Sequence, residues 1–88
     1  MKKSFKVIEV KINEHDGDSY DYVTRIDVNH YGKIVVITSP SVLDAMKFMD
    51  EAYNEESVIQ EQMLNLVKSY FPKKNHTISY RTLTIEVK

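Results

Sequence analysis

One stretch of the chain, residues 39–72, repeats its apolar residues at the spacing of an α-helix. At about 100° per residue, the apolar side chains of both halves of this stretch fall on the same side of a helix. The residues on that side are Val42, Ala45, Met46, Met49, Ala52, Tyr53, Met63, Leu64, Val67, Tyr70 and Phe71. The pattern therefore predicts a helical layer that packs one face against the rest of the domain.

Helix-boundary residues divide this stretch into two parts. Pro40 suits the first position of a helix, and the serines on either side of it can cap that helix. Asn54 can cap a second helix, and Pro72 prevents its continuation. We therefore predict two helices, over residues 40–53 and 55–70, and one long kinked helix is the alternative.

The rest of the sequence shows strand patterns, either the two-residue alternation of a half-buried strand or a short apolar run between turns. We predict four strands, over residues 4–12, 20–29, 34–38 and 76–88. The unbroken apolar run of the third strand predicts a central position in the sheet or burial on both faces, because an apolar edge strand invites aggregation.

Side-chain parity gives two finer predictions for the strands. In the second strand, we expect Tyr22 to share a face with Ile26 and Val28. In the last strand, Tyr80 and Leu83 differ in parity, which predicts a bulge between them.

Two glycines mark tight turns between the first three strands. Gly17 follows an aspartate, as in many hairpins, and Gly32 suits a left-handed backbone position. The order along the chain is then β-β-β-α-α-β. The predicted fold is a single α+β domain over residues 1–88, with two layers. An antiparallel sheet of about four strands is covered on one face by two helices or by one kinked helix.

The composition offers little catalytic chemistry. Without cysteine, the chain has no thiol nucleophile, no disulfide and no cysteine zinc site. His15, His30 and His76 lack the spacing that places two ligands on one helix face. The acidic turn after the first strand lacks the glycine and glutamate positions of an EF-hand calcium loop. We therefore predict that the protein is not an enzyme and has no catalytic residue, no metal site and no cofactor.

Hydropathy gives an expectation about location. No stretch of the sequence approaches the roughly 18 apolar residues that a membrane-spanning helix needs. The first residues alternate charged and apolar side chains, unlike a signal peptide. We expect a soluble, cytoplasmic protein that does not bind membranes. Lysine outnumbers arginine 10 to 2, which is typical of the AT-rich genomes of many bacteria and their phages.

Charge is distributed unevenly along the chain. Residues 14–56 carry a net charge of −7, whereas residues 1–13 and 57–88 each carry a net charge of +3. If the first and last strands lie side by side, the basic ends form one patch and the acidic middle forms another. An acidic surface steers association with basic sites on proteins, including sites that otherwise hold nucleic acid.

These features favour a small protein-binding module that docks an acidic surface on a basic site of a larger protein. Its size and composition are typical of inhibitors, encoded by phages or mobile elements, that block host defence or nucleic-acid-processing enzymes. We expect the contacts on the first hairpin and at the junction of the two helices, where carboxylates have no packing role. Phe48, which points away from the apolar helical face, adds an apolar contact. The predicted partner-binding residues are Glu14, Asp16, Asp18, Asp21, Phe48, Asp50, Glu51, Glu55 and Glu56.

Two alternative functions use other surfaces. A nucleic-acid-binding domain would combine the lysines of the basic ends with aromatic stacking groups. Its residues would be Lys2, Lys3, Lys6, Lys68, Lys73, Lys74 and Arg81 with Tyr70, Phe71 or Tyr80. The presence of only two arginines and the net charge of −1 argue against direct nucleic-acid binding. The other alternative is a structural or assembly protein that forms a homo-oligomer through an open sheet edge.

Overall fold

The computed structural model describes residues 1–49 and 54–86. The described part is mostly antiparallel sheet with one α-helix, so the fold is broadly α+β, as the sequence predicts. The strands are β1 (Lys2–Glu14), β2 (Gly17–Val28), β3 (Ile34–Ser39), β4 (Phe48–Met49) and β5 (His76–Glu86). The helix is α1 (Asn54–Tyr70), and a single 3-10 turn covers Val42–Asp44.

Strand β1 organises the sheet because it pairs with three other strands. Strand β5 pairs with it from Lys2, which lies opposite Glu86, to Ile12, which lies opposite His76. On the other side of β1, β2 pairs with its second half, and the two-residue β4 pairs with Phe5 and Lys6. The sheet order is β3-β2-β1-β4, with β5 on the opposite side of β1. The first and last strands therefore lie side by side.

The helix predicted over residues 40–53 is wrong for residues 40–49. The chain there forms the 3-10 turn and then β4. The backbone N–H of Met46 donates to the carbonyl of Val23 at 2.8 Å, and β4 pairs with β1, so the end of this segment is bonded to the sheet. The helical spacing of its apolar residues is a local signal that these long-range bonds override. Residues 50–53 of the prediction lie outside the described residues.

Helix α1 matches the second predicted helix and covers one face of the sheet. Val67 is fully buried at the centre of this contact, in a cluster of buried residues with Ile8, Val10, Val23 and Val36. On the same helix, Leu64 and Phe71 pack against this cluster, as the helical period predicts. No helix among the described residues is long and apolar enough to cross a membrane.

A second, smaller apolar cluster lies on the opposite face of the sheet. Val7, Tyr22 and Ala45 are its buried members, and Val42 and Leu83 pack against them. Neighbouring residues of β1 point to opposite faces, so Val7 faces this cluster while Ile8 faces the helix. Val42 and Ala45, at the start of the segment predicted to be the first helix, therefore pack on the other face of the sheet, whereas Met46 and Phe48 pack against the cluster under α1.

The parity predictions for β2 and β5 are both wrong. The pairing of β2 with β3 shifts register between Val23 and Arg25, so Tyr22 and Ile26 do not share a face. The pairing of β5 with β1 runs without a shift, so no bulge separates Tyr80 from Leu83. These two residues have different parity because each packs against a different apolar cluster.

Strand β3 lies at an edge of the sheet, where the sequence predicted a central position or burial on both faces. It pairs with β2 from Val28, which lies opposite Ile34, to Tyr22, which lies opposite Ser39. Val36 is buried under the helix, but Ile34 is exposed. The apolar run therefore packs partly in the core and partly at the surface.

The predicted turns are present. His15 and Asp16 form the turn between β1 and β2, and Gly17 has a φ of 134°. Gly32, in the turn between β2 and β3, has a φ of 78°, in the left-handed region that glycine tolerates best. Both turns project from the ends of long strands.

Candidate interaction surface

The free edge of β3 carries no charged side chain. The residues of this strand are Ile34, Val35, Val36, Ile37, Thr38 and Ser39. Among residues 1–49 and 54–86, the strand that pairs with β3 is β2, so the other side of β3 has no strand partner within this part of the chain. An edge strand leaves N–H and C=O groups on its open side that another extended segment can bind.

The edge formed by β5 differs from that of β3. β5 carries the charged residues Arg81 and Glu86, both exposed, and most of its other exposed residues are threonine or serine. Charged and polar side chains on an edge strand discourage pairing with other chains. The β3 edge lacks this protection and is therefore the better site for an added strand.

Exposed apolar side chains lie at the end of the β2–β3 hairpin. Val28, Tyr31 and Ile34 are 67%, 78% and 42% exposed, and Val28 lies directly opposite Ile34 in the sheet. We call these three residues the hairpin patch. Apolar groups that cluster on a surface often mark a contact site for another protein.

Asn29 holds the turn that presents the hairpin patch. Its side-chain oxygen accepts hydrogen bonds from the backbone N–H of Tyr31 at 2.9 Å and of Lys33 at 3.0 Å. Its backbone N–H also donates to the carbonyl of Lys33, and its carbonyl accepts from Gly32. The patch is therefore presented by a hydrogen-bonded turn, so a partner would not have to order it.

Opposite charges flank the two ends of β3. Lys33 immediately precedes the strand. At the other end, the hydroxyl of Thr38 donates to Asp21 at 3.4 Å, and the hydroxyl of Ser39 donates to Asp44 at 3.1 Å. The β3 edge is thus basic where it begins and acidic where it ends.

The predicted acidic hairpin is exposed at the far end of β1. Glu14, Asp16 and Asp18 are all exposed. The hydroxyl of Ser19 donates to Glu14 at 3.2 Å, and Asp18 forms an ion pair with Lys11 at 3.3 Å. Asp16 and Glu14 are consequently better placed than Asp18 to attract a partner, because the charge of Asp18 is balanced locally.

The predicted contact residue Phe48 does not point away from the domain. It is half-buried and packs against the apolar cluster under the helix, because β4 pairs it with Lys6 of β1. From Lys6 to Glu14, β1 spans about 26 Å at roughly 3.3 Å per residue. Phe48 is therefore a packing residue at the opposite end of β1 from the acidic hairpin.

The remaining predicted site residues follow β4 in the chain. Asp50 and Glu51 lie outside the described residues. Glu55 and Glu56 belong to the first turn of α1, and their side chains are not among those described. Within the described part, the predicted carboxylates that lie together are Glu14, Asp16 and Asp18 of the acidic hairpin. Asp21 lies apart from them, beside Thr38 near the end of β3.

Some of the basic residues of β1 and β5 lie close to carboxylates. Arg81 donates to Glu9 at 3.3 Å and to the hydroxyl of Tyr22 at 2.6 Å. The pKa of Arg81 is raised by the Tyr22 phenol and by Glu9, so it keeps its charge at any pH relevant to folding. Lys2 lies opposite Glu86. The pairing of the first and last strands therefore does not produce a purely basic patch.

Tyr80 makes a structural contact between the sheet and α1. The hydroxyl of Tyr80 donates to the carbonyl of Gln60 in α1 and ties the helix to the sheet. Burial and, to a smaller extent, Glu61 raise the pKa of Tyr80. Among the described residues, no three His, Asp or Glu side chains come together as they would around a metal ion.

The hairpin patch is a feature that the sequence analysis missed. The alternation of the second strand placed Val28 on one face with Tyr22 and Ile26, and the apolar run of the third strand predicted a central position or burial on both faces for Ile34. The available signal was their position on either side of the Gly32 turn, at the end of β2 and the start of β3. Models of known protein families, curated proteins and solved structures were compared with the chain, and none of them matches.

Proposed function

We propose that the chain is a small cytoplasmic protein-binding module that pairs the open edge of β3 with an extended segment of a larger protein. The observation that carries this proposal is the uncharged edge strand beside the hairpin patch. In strand addition, main-chain hydrogen bonds supply affinity and alternate side chains supply specificity.

The side chains around β3 indicate which residues a partner segment would carry at each end. A strand that binds antiparallel to β3 ends beside Ser39, whose hydroxyl bonds to Asp44, with Asp21 one strand further away, so basic residues are favoured at that end. At the other end, an apolar side chain would cover Val28 and Ile34. The acidic hairpin adds long-range attraction to a basic partner. Such a module would inhibit a defence or nucleic-acid-processing enzyme by covering a basic site.

A second candidate function is self-assembly, and the charge difference between the ends of β3 favours it. If two copies pair their β3 strands antiparallel, Lys33 of each copy lies near Asp44 of the other. The contact is then isologous, with the same surface on both subunits. This arrangement would join two sheets into one continuous sheet.

Replacing Ile34 with lysine tests both candidates. The variant Ile34→Lys places a charge on the edge, and Thr84→Lys is the matched control on the β5 edge, where the residue is also exposed. Affinity capture from a lysate of the natural host, followed by binding of the purified partner, should show loss with Ile34→Lys and retention with Thr84→Lys. Amide hydrogen exchange should show new protection in residues 34–39 upon binding. Equal binding by both variants, or protection confined to another region, would exclude the β3 edge.

Light scattering after size exclusion separates self-assembly from binding to another protein. A dimer at micromolar concentration that is lost in Lys33→Glu, lost in Asp44→Lys and restored when both changes are combined would establish the second candidate. A monomer throughout would leave a larger protein as the partner.

The contribution of the acidic hairpin is tested separately. Replacing Glu14 and Asp16 with lysine should change stability by no more than about 0.5 kcal/mol each, because both are exposed. With a basic partner, the association rate should fall and its dependence on salt should flatten. Unchanged association rates at low and high salt would remove the hairpin from the binding mechanism.

A further inference from the structure

A groove lies between the end of α1 and the start of β5, away from the β3 edge. It has a volume of about 310 Å³, and its walls are Lys68, Phe71, Pro72, Lys73, His76, Thr77 and Ile78. A groove of this size is at the lower end of the range for small-molecule sites, roughly 300 to 1,000 Å³. It therefore has room for one nucleotide unit but not for a large ligand.

Backbone contacts hold the two walls of the groove together. Asn75 has a φ of 65° and forms the tight turn that leads into β5. Its carbonyl accepts a hydrogen bond from the backbone N–H of Asn13 at 2.8 Å, which fixes the connection against β1. The groove is thus formed by the fold itself, so a ligand would not have to order its walls.

Cationic and aromatic side chains form part of the lining of this groove. Lys68 and Lys73 are its cationic groups, and none of the described residues that line it is acidic. The rings of Phe71 and His76 stack with their centroids 5.6 Å apart and their planes 21° apart. His76 is further oriented by a 2.9 Å hydrogen bond between its Nδ1 and the carbonyl of Lys74. The groove therefore combines cations with an oriented aromatic surface.

From this combination, we propose that the groove binds a nucleoside phosphate, either as a free nucleotide or as one unit of a single-stranded nucleic acid. Lysines bind phosphate by charge, and a base stacks on an aromatic ring whatever its sequence. The hydroxyl of Thr77 is available as a polar partner for the base or the sugar. With one stacked base and two cations, we expect dissociation constants on the order of 10 to 100 µM.

The test is fluorescence anisotropy with a labelled single-stranded oligonucleotide of eight thymidines, with unlabelled UMP as a competitor. The double variant Lys68→Gln/Lys73→Gln removes the two cations of the groove. Its matched control is Lys2→Gln/Lys3→Gln, which removes the same charge from the other end of β1. The groove variant should weaken binding at least tenfold and reduce the slope of log affinity against log salt by about 1.4. The control should retain the affinity of the parent protein to within about twofold.

The variant His76→Gln tests stacking. Loss of a stacked base should weaken binding by about 5- to 150-fold without a change in the salt slope, since the charge of the groove lysines is kept. Circular dichroism melts of each variant separate loss of the site from loss of folding. Phe71 is left unchanged because it packs against the apolar core.

The competitor identifies the source of the nucleotide. If UMP displaces the oligonucleotide at submillimolar concentration, a single nucleotide is enough to occupy the groove, whether it is free or part of a strand. Binding of the oligonucleotide without displacement by UMP assigns it to a strand. If neither ligand binds at 1 mM, or if the two double variants weaken binding equally, the proposal is wrong.

Discussion

Truncation of Val67 to alanine gives a quantitative test of how α1 packs on the sheet. Val67 has no exposed surface and lies among Ile8, Val10, Val23 and Val36. Removing two buried methyl groups costs about 1.6 kcal/mol of transfer free energy, at roughly 0.8 kcal/mol for each. The cavity left behind adds roughly 1 kcal/mol. Alanine has a higher helix propensity than valine, which reduces the loss of stability by up to roughly 0.5 kcal/mol. The net loss is therefore about 2 kcal/mol.

The matched control is the same substitution at an exposed position. Val28 is 67% exposed, so Val28→Ala should cost no more than about 0.5 kcal/mol. Urea unfolding should show a lower midpoint with an unchanged slope for Val67→Ala, and a midpoint close to that of the parent for Val28→Ala. In thermal melts, a loss of about 2 kcal/mol corresponds to about 8 to 16 °C for a domain of this size. Equal midpoints for the two variants would refute the assignment of Val67 to the core.

Two further perturbations test contacts outside the core. Asn29→Ala removes the acceptor for two backbone N–H groups and should cost about 1 to 2 kcal/mol in urea melts, whereas Asn29→Asp, which keeps an acceptor, should cost less. Tyr80→Phe removes the bond to the Gln60 carbonyl and should cost about 0.5 to 1.5 kcal/mol at neutral pH. The pKa of Tyr80 is raised in the folded state, so its contribution is complete below pH 10, its ordinary pKa, and is lost as the pH rises through the folded value. The stability difference between parent and Tyr80→Phe should therefore shrink at alkaline pH, and a constant difference would contradict the role assigned to Tyr80.

The parts of the fold that the sequence predicted correctly depend on local signals. Helix α1 follows from the period of Leu64, Val67 and Phe71 together with Pro72. Strands β1, β2 and β5 follow from alternation, and β3 follows from a short apolar run after a turn. The exposed carboxylates of the acidic hairpin were equally predictable, since turn residues have few packing roles.

The parts that were mispredicted depend on which segments meet in space. Nothing near Met46 in the sequence indicates that its N–H will bond to Val23. The edge position of β3 likewise depends on the sheet order, which a single strand does not encode. Phe48 was assigned outward because a helix was assumed, and pairing with Lys6 reverses its direction. The β3 edge and the hairpin patch were not predicted for the same reason, because edges and surface patches arise only when the strands assemble into a sheet.

The pairing of β1 with β5 also has a consequence for how the chain reaches this structure. It joins residues as distant in sequence as Lys2 and Glu86. The entropy of closing such long loops must be lost before these contacts form, which slows folding relative to a helical domain of similar size. During synthesis, β1 leaves the ribosome long before β5, so the side of β1 that pairs with β5 stays unpaired until then. A newly made chain is therefore most exposed to association with other chains until β5 is released.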